Sequence, residues 1–298
     1  MQIKKALRNQ YNDVVRRMRT FLDQAEPRLT VVLSRVIRRT HNTITYEELR
    51  QQLLLGGADR EIVEKWMQEY SKFFTEEILP EWKKTMEYAA EEIRMRYPEF
   101  VFDPNSQAIK QWVVERSAKM IVSITELQRQ AVNHMIQRAV QIQDIPVDEL
   151  AKVIRPMVGL TPGQVTANLR YFEKVRNTLV KNGMSLEKAT LRAKKQSIMY
   201  AEKQHRYRCM SIARTEVMEA YRAGEHNAIK QAQEQGYIGR VKKVWVTAGD
   251  DRVCDTCREL DGKEFEISDV LPTNNLWEQE SGGAHPNCRC ILVYREVD

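Results

Sequence analysis

The tightest constraint on the fold lies near the C-terminus, where Cys254-x2-Cys257 is followed, after 27 intervening residues, by His285-x2-Cys288-x-Cys290. Four of the chain's five cysteines fall in that stretch. A Cys-x2-Cys turn presents two sulfurs to one side of an ion, and two more donors from a distant turn complete the tetrahedron that zinc prefers. The segment between the turns holds Pro272, Asn274, Asn275, Trp277 and Gly282-Gly283, so it has little capacity for regular structure of its own. A bound ion would offset the entropy of closing it. Two full ligand sets are open. One is Cys254, Cys257, Cys288 and Cys290; the other is Cys254, Cys257 and His285 with one of Cys288 and Cys290, and the spare donor would support the shell. Reduced thiols in a small core, disulfides and a catalytic zinc compete with this reading. The opening MQIKKALRNQYNDVVRRMRT is charged from the start and lacks the apolar run of about 7–15 residues that marks a secretory signal. The expectation is therefore a reducing cytoplasm, which disfavours disulfides. No glutamate stands as an obvious general base, which disfavours a catalytic metal. A structural Zn2+ is the expected cofactor.

Ahead of residue 240 the pattern is helical. Gly and Pro are sparse and apolar residues recur at three- and four-residue spacing, as in Ile62, Val63, Trp66, Tyr70, Phe73 and Phe74. Pro80 fits a helix start. Tyr97 to Asn105, with two prolines, is a break. Thr161-Pro162 opens a helix carrying Val165, Leu169, Phe172, Val175 and Leu179, and Lys181-Asn182-Gly183 stops it. A long basic helix runs from about Ser185 to Gln235, or as two helices broken near Cys209. After Gly239 the run Val241, Val244, Trp245, Val246, Thr247 is β-prone, Leu260-Asp261-Gly262 reads as a hairpin turn, and Ile291 to Tyr294 is a last strand. The expected fold is mainly α: an elongated helical N-terminal and central region, then a small α+β lobe with a zinc-stapled loop. The expected divisions are a variable helical arm over 1–105, a helical region over 106–239 and the β-rich lobe over 240–298. No window approaches the ~18 uninterrupted apolar residues of a membrane span.

Charge is distributed in blocks, at +7 over residues 1–40, −4 over 41–160, +10 over 161–243 and −7 over 244–298. Such asymmetry suits contact with a polyanion or an acidic partner. Arg16, Arg17, Arg19, Arg35, Arg38 and Arg39 are the expected contacts to a polyanion such as double-stranded DNA, because part of the +10 block can be neutralised by the acidic lobe. Searches for other chemistry are empty: there is no phosphate-loop, dinucleotide or G-x-S-x-G motif. His285-Pro286-Asn287-Cys288 invites comparison with a His-Asn-His nuclease, yet that chemistry needs a second histidine and none follows His226 other than His285. His41, His134, His205 and His226 are expected at surface or cap positions, and Cys209 in the core.

Four motifs then occur in order: Ile212-Ala213-Arg214-Thr215-Glu216, Trp245-x-Thr247, Leu260-Asp261-Gly262 and His285-Pro286-Asn287-Cys288-Arg289-Cys290. Over about residues 150–295 this order resembles the phage Mu F-type minor head proteins, the head-morphogenesis family of tailed phages. The resemblance implies a low-copy, non-enzymatic virion protein at the portal vertex. Such a protein would act in capsid assembly and DNA ejection, with the portal protein and the major capsid or scaffolding protein as partners, in the host cytoplasm during assembly. Some relatives carry toxin or ADP-ribosyltransferase modules after this region; the sequence ends at Asp298, so none is expected here. Arg214, Thr215 and Glu216 are expected in structural roles, with Arg214 bridging to Asp250, Asp251 or Asp261 of the lobe. A zinc-dependent nuclease or hydrolase is the alternative.

Overall fold

The computed structural model describes residues 12–43, 45–55, 58, 60–140, 147–272 and 282–297. Helices α1 (Asn12–Thr43), α2 (Tyr46–Leu55), α3 (Arg60–Phe73), α4 (Leu79–Arg96), α5 (Gln107–Val140), α6 (Val147–Ile154), α7 (Pro162–Lys181) and α8 (Leu186–Glu234) come first. Strand β1 (Val241–Val246), helix α9 (Asp255–Leu260) and strands β2 (Glu264–Glu266) and β3 (Ile291–Glu296) follow. The chain is thus mainly helical with a small C-terminal sheet. No described helix is long and apolar enough to cross a membrane. The stretch between Pro272 and Gly282, expected to lack regular structure, lies outside the described residues, as does the side chain of His41.

Local chemistry sets the helix ends. Thr161 caps α7 by accepting from Gln164 N while the Gln164 side chain accepts from Thr161 N, and Pro162 fills the first helical position, where its missing N–H costs nothing. Asn182 ends α7, and Gly183 follows in the left-handed region at φ 86° that a side chain would strain. A π-helical turn over Phe74–Ile78 precedes α4, where Pro80 sits in the first turn. Helix α8 continues through Cys209 without the break that the sequence allows there.

The chain packs as two units. The first is drawn from residues 1–30, 77–115 and 210–298. Its core joins Met86, Ala90 and Ile93 of α4, Phe100, Phe102 and Ile109, and Ala223, Ala228, Ile229 and Ala232 of α8. Gly224 lies where α8 presses closely on α4: a Cβ there would collide with Met86 Cα. Phe21 of α1 stacks on Tyr88 of α4 at 4.1 Å between ring centroids. Glu225 of α8 is buried near Glu92, which also pairs with Arg17 at 3.1 Å and Arg96 at 3.5 Å. Burial, reinforced by the Glu92 charge and only partly opposed by Arg222 and Arg96, holds the Glu225 carboxyl well above its usual range. A group whose pKa is raised in the folded chain stabilises at low pH and loses that contribution as pH climbs through the raised value. Glu225→Gln should therefore match the wild type in urea denaturation near about pH 4 and exceed it at alkaline pH, the gap growing by up to about 1.4 kcal/mol per pH unit. A gap that stays constant with pH would refute this.

The second unit is drawn from residues 31–76 and 116–209. Ile62, Trp66, Tyr70 and Phe73 of α3 are buried as their spacing required, and Tyr70 Oη donates to Gln128 Oε1 at 2.6 Å. Helices α7 and α8 are joined by a buried amide network. Asn168 Nδ2 donates to Gln204 Oε1 at 2.9 Å, Ser197 donates to Asn168 Oδ1, and Gln204 Nε2 donates to Gln164 O at 3.1 Å. Here one histidine expectation changes. His205 is buried and its Nε2 donates to Pro156 O at 2.9 Å, so it is not a surface residue. His134 is half-buried and its Nε2 bonds Thr166 Oγ1 at 2.7 Å. Cys209 is buried as expected.

The sheet order is β2-β1-β3 with both pairings antiparallel, and Lys243 lies opposite Phe265 and Tyr294. Leu260-Asp261-Gly262-Lys263 does form a turn, with Lys263 N donating to Leu260 O at 2.9 Å and Gly262 at φ 78°. It joins helix α9 to β2, however, and not two strands, because Thr247 N donates to Asp261 Oδ1 and Gly262 N donates to Trp245 O, docking the turn beside β1. Lys243 is fully buried in β1; its ammonium donates to the carbonyls of Ile267 and Asp269, so an aliphatic stem fills the core and the charge is solvated by backbone.

Candidate metal centre

The two cysteine turns converge on Cys257. The donor atoms of Cys254, Cys257 and His285 lie within 4.8 Å of one another, and so do those of Cys257, Cys288 and Cys290. Cys257 Sγ stands 3.5 Å from His285 Nε2 and 3.7 Å from Cys288 Sγ. All five donors named from the sequence are therefore gathered, and the five cysteines of the chain are unbridged. Both ligand sets remain compatible with this arrangement.

Local folding explains the gathering. Cys254 is the N-cap of α9 and its Sγ accepts from Cys257 N at 3.4 Å. The Cys290 N–H points at Cys288 Sγ, and the Ala248 N–H at Cys290 Sγ. Backbone N–H groups aimed at sulfur favour thiolate over thiol. On the second turn Asn287 adopts φ 63°, and Cys288 N donates to His285 O at 3.1 Å. His285 Nδ1 donates to Pro286 O at 2.7 Å, which leaves the Nε2 lone pair facing Cys257. Around the sulfurs Trp245, Leu260, Leu271, Ala284 and Leu292 form a small apolar core.

Without a cation these thiols work against one another. Bonds from Cys257 and Cys290, with Arg222 beside it, hold the Cys288 thiol far below its usual range. The Cys257 thiol is driven far up by its bonds to Cys288 and Cys290, by burial and by their charge. For Cys290 the bond with Cys257 acts downward, yet the Cys288 bond, burial and the Cys288 charge prevail and push it up to about 12. One thiolate forms readily and suppresses the next. A dication removes that conflict, because it lowers every thiol it touches. The donor set thus fits a zinc ion, and the availability of at least four thiolate or imidazole donors, three of them buried, fits a closed structural site better than one with an open position for water.

Helix α8 supports the second turn through residues the sequence did not single out. Arg222 is 2% exposed; its Nη2 donates to Cys290 O at 2.6 Å and Cys288 O at 3.0 Å, and its Nη1 donates to Glu219 Oε1 at 2.7 Å. Glu219 Oε1 also accepts from Gly283 N at 2.9 Å. A Cβ on Gly283 would collide with Arg222 Nη1, so a side chain there would push the guanidinium away from its present bonds. The available signal was a Glu-x2-Arg pair set among Val217, Met218, Ala220, Tyr221 and Ala223, in a stretch of α8 that is buried on every side.

In the Ala-Arg-Thr-Glu stretch, Thr215 Oγ1 accepts from Asn287 N at 3.0 Å, holding the ligand turn directly. Glu216 is buried. Arg214 does not bridge to Asp250, Asp251 or Asp261; its Nε pairs with Glu26 of α1 at 3.1 Å. Glu26 also takes Arg289 Nη2 at 3.3 Å, so one buried carboxylate links α1, α8 and the Cys-Arg-Cys end. Asp250 pairs with its neighbour Arg252 instead, and Asp261 holds Thr247. His226 is a core residue bonded through Nδ1 to Tyr294 Oη at 2.9 Å, again unlike a surface position. Among the arginines expected at DNA, Arg17 is paired with Glu92, Arg19 donates to Ala248 O at 2.6 Å and Arg16 pairs with Asp13, while Arg35, Arg38 and Arg39 are exposed.

No curated protein and no solved structure matches the chain. The donors and their α8 supports all fall between α7 and β3, within the stretch that a family model recognises. Over residues 170–293 the chain matches the family described as phage Mu protein F like, consistent with the phage head-morphogenesis proteins.

Proposed function

We propose that the chain is a non-enzymatic minor head protein of a tailed phage, seated at the portal vertex and acting in capsid assembly and DNA ejection. Its C-terminal lobe is closed by a structural zinc held by Cys254, Cys257 and two of His285, Cys288 and Cys290. The observation that carries this reading is the convergence of both cysteine turns on Cys257, against α8, inside the matched region. Three buried thiols, Cys257, Cys288 and Cys290, with backbone N–H groups aimed at the sulfurs of Cys254, Cys288 and Cys290, suit a staple, which stiffens a docking lobe, more than a reaction centre. The partners are the portal protein, the major capsid or scaffolding protein and packaged double-stranded DNA. Exposed Arg35, Arg38 and Arg39, with Arg16 beside Asp13, offer phosphate contacts without sequence reading. The chain resides in the virion and, during assembly, in the host cytoplasm. Mass spectrometry of purified heads should find the chain at low copy, and immobilised portal protein should retain it. Heads that assemble and eject DNA normally while lacking the chain would overturn the assignment.

A further inference from the structure

Many arginines of the described chain stand beside a carboxylate: Arg60 with Glu64, Arg129 with Glu126, Arg258 with Asp255, Arg295 with Glu264. The first half of α8 departs from this. Lys188, Arg192, Lys195, Lys203 and Arg206 are exposed, and among the described residues no ion pair or hydrogen bond engages their side chains. At about 100° per residue these five positions and Met199 fall within an arc of about 80°, over a length of about 27 Å. Glu202 lies at the edge of the arc and Glu187 off it. The opposite face is committed. Ala189, Ala193, Ser197, Ala201 and Gln204 are buried, and Asn168 of α7 bonds Ser197 and Gln204. The stripe is thus forced outward by the same packing that fixes the α7–α8 pair. Arg170, Lys174 and Lys181 of α7 are exposed and equally unengaged.

We infer that this stripe of α8 binds the phosphate backbone of a nucleic-acid duplex without regard to sequence. Unpaired cations in a row keep their positive charge available for a partner, and a duplex presents phosphates along a comparable line. An acidic protein partner would be expected to add a clustered apolar anchor. The exposed Leu191, Met199 and Tyr207 are instead spread over about 160° of the helix surface. The stripe is distinct from the N-terminal arginines, and only the choice of duplex DNA as probe rests on the head-protein reading.

The test is fluorescence anisotropy of a short labelled duplex of arbitrary sequence, titrated with the full chain across a salt series. Replacing Arg192, Lys195 and Lys203 together by glutamate should lower the slope of log affinity against log salt by about 3, at about 0.9 per lost phosphate contact, and weaken binding on the order of 100-fold. Because all three side chains are exposed, the circular dichroism spectrum should be unchanged. The glutamine triple should fall between, and the control triple Lys72→Glu, Lys110→Glu, Lys119→Glu should keep the wild-type slope. A wild-type slope in the stripe variant overturns the inference, as does a wild-type chain that ignores the duplex. Tighter binding to poly-glutamate than to the duplex would assign the face to an acidic protein and overturn it too. None of these outcomes bears on whether the chain is found in heads, so the two readings fail separately.

Discussion

A Cys257→Ser chain is expected to lose its bound ion and, with it, the order of the lobe. Cys257 is the one donor common to both groups of three, and its sulfur lies between His285 and Cys288. Serine removes the thiolate from the centre of either ligand set. The wild type purified without chelator should carry about one zinc per chain, as a tetrahedral site requires, and the variant a small fraction of that. Because the site is built only on folding, the ion's binding energy is folding energy, and its loss should destabilise the lobe by several kcal/mol. The readouts are elemental mass spectrometry and amide exchange over residues 241–297. Cobalt substitution should show sulfur-to-metal charge-transfer bands in the wild type and none in the variant. A wild-type chain that is metal-free with those amides fully protected would sink the zinc reading, and the lobe would then be a thiol-packed core.

Arg222→Ala should cost nearly as much by another route. The guanidinium is buried with Glu219, and it satisfies two carbonyls of the ligand turn. Truncation leaves a buried carboxylate without its counter-charge and two carbonyls without donors, a loss of about 3–5 kcal/mol for breaking a buried pair. In a unit of this size that corresponds to a fall in Tm of roughly 10 °C, since each kcal/mol is worth about 2–4 °C. Replacing both residues, Glu219→Leu with Arg222→Met, should recover a large part of the stability because no charge is stranded, yet it should still weaken zinc binding, because the carbonyls of Cys288 and Cys290 lose their anchor. Urea denaturation and competition with a chromophoric chelator separate the two effects. If the single and double variants are equally unstable, the buried charge is not the cause.

Much of this fold is written in local chemistry. The Thr161-Pro162 cap, the Gly183 stop, the α3 stripe and the strand-forming run at 241–246 depend on residues within a turn or two, where sequence and structure share one scale. The donor set is legible for a related reason. Cysteine and histidine at those spacings have few other uses, and each turn carries a local N–H···S bond, from Cys257 N to Cys254 Sγ and from Cys290 N to Cys288 Sγ. Where sequence and structure part, the cause is the opposite one. By proximity along the chain Arg214 belongs with the acidic residues of the lobe, but Glu26, almost two hundred positions earlier, is its partner. The Asp-Gly turn has the composition of a hairpin, yet β1, which holds that turn, lies before α9. His205 and His226 resemble surface groups because their partners, Pro156 and Tyr294, are distant in sequence.

What the sequence determined alone was periodicity, caps and the identity of the donors, since these follow from backbone geometry and side-chain chemistry over a few residues. Which carboxylate neutralises which arginine, and which cations are left without one, only the tertiary structure decided. Desolvation makes an unpaired charge intolerable inside and harmless outside, and inside and outside exist only once distant segments have packed. Arg222 and Arg192 are the same residue on the same helix; packing buried one against the ligand turn and left the other facing water.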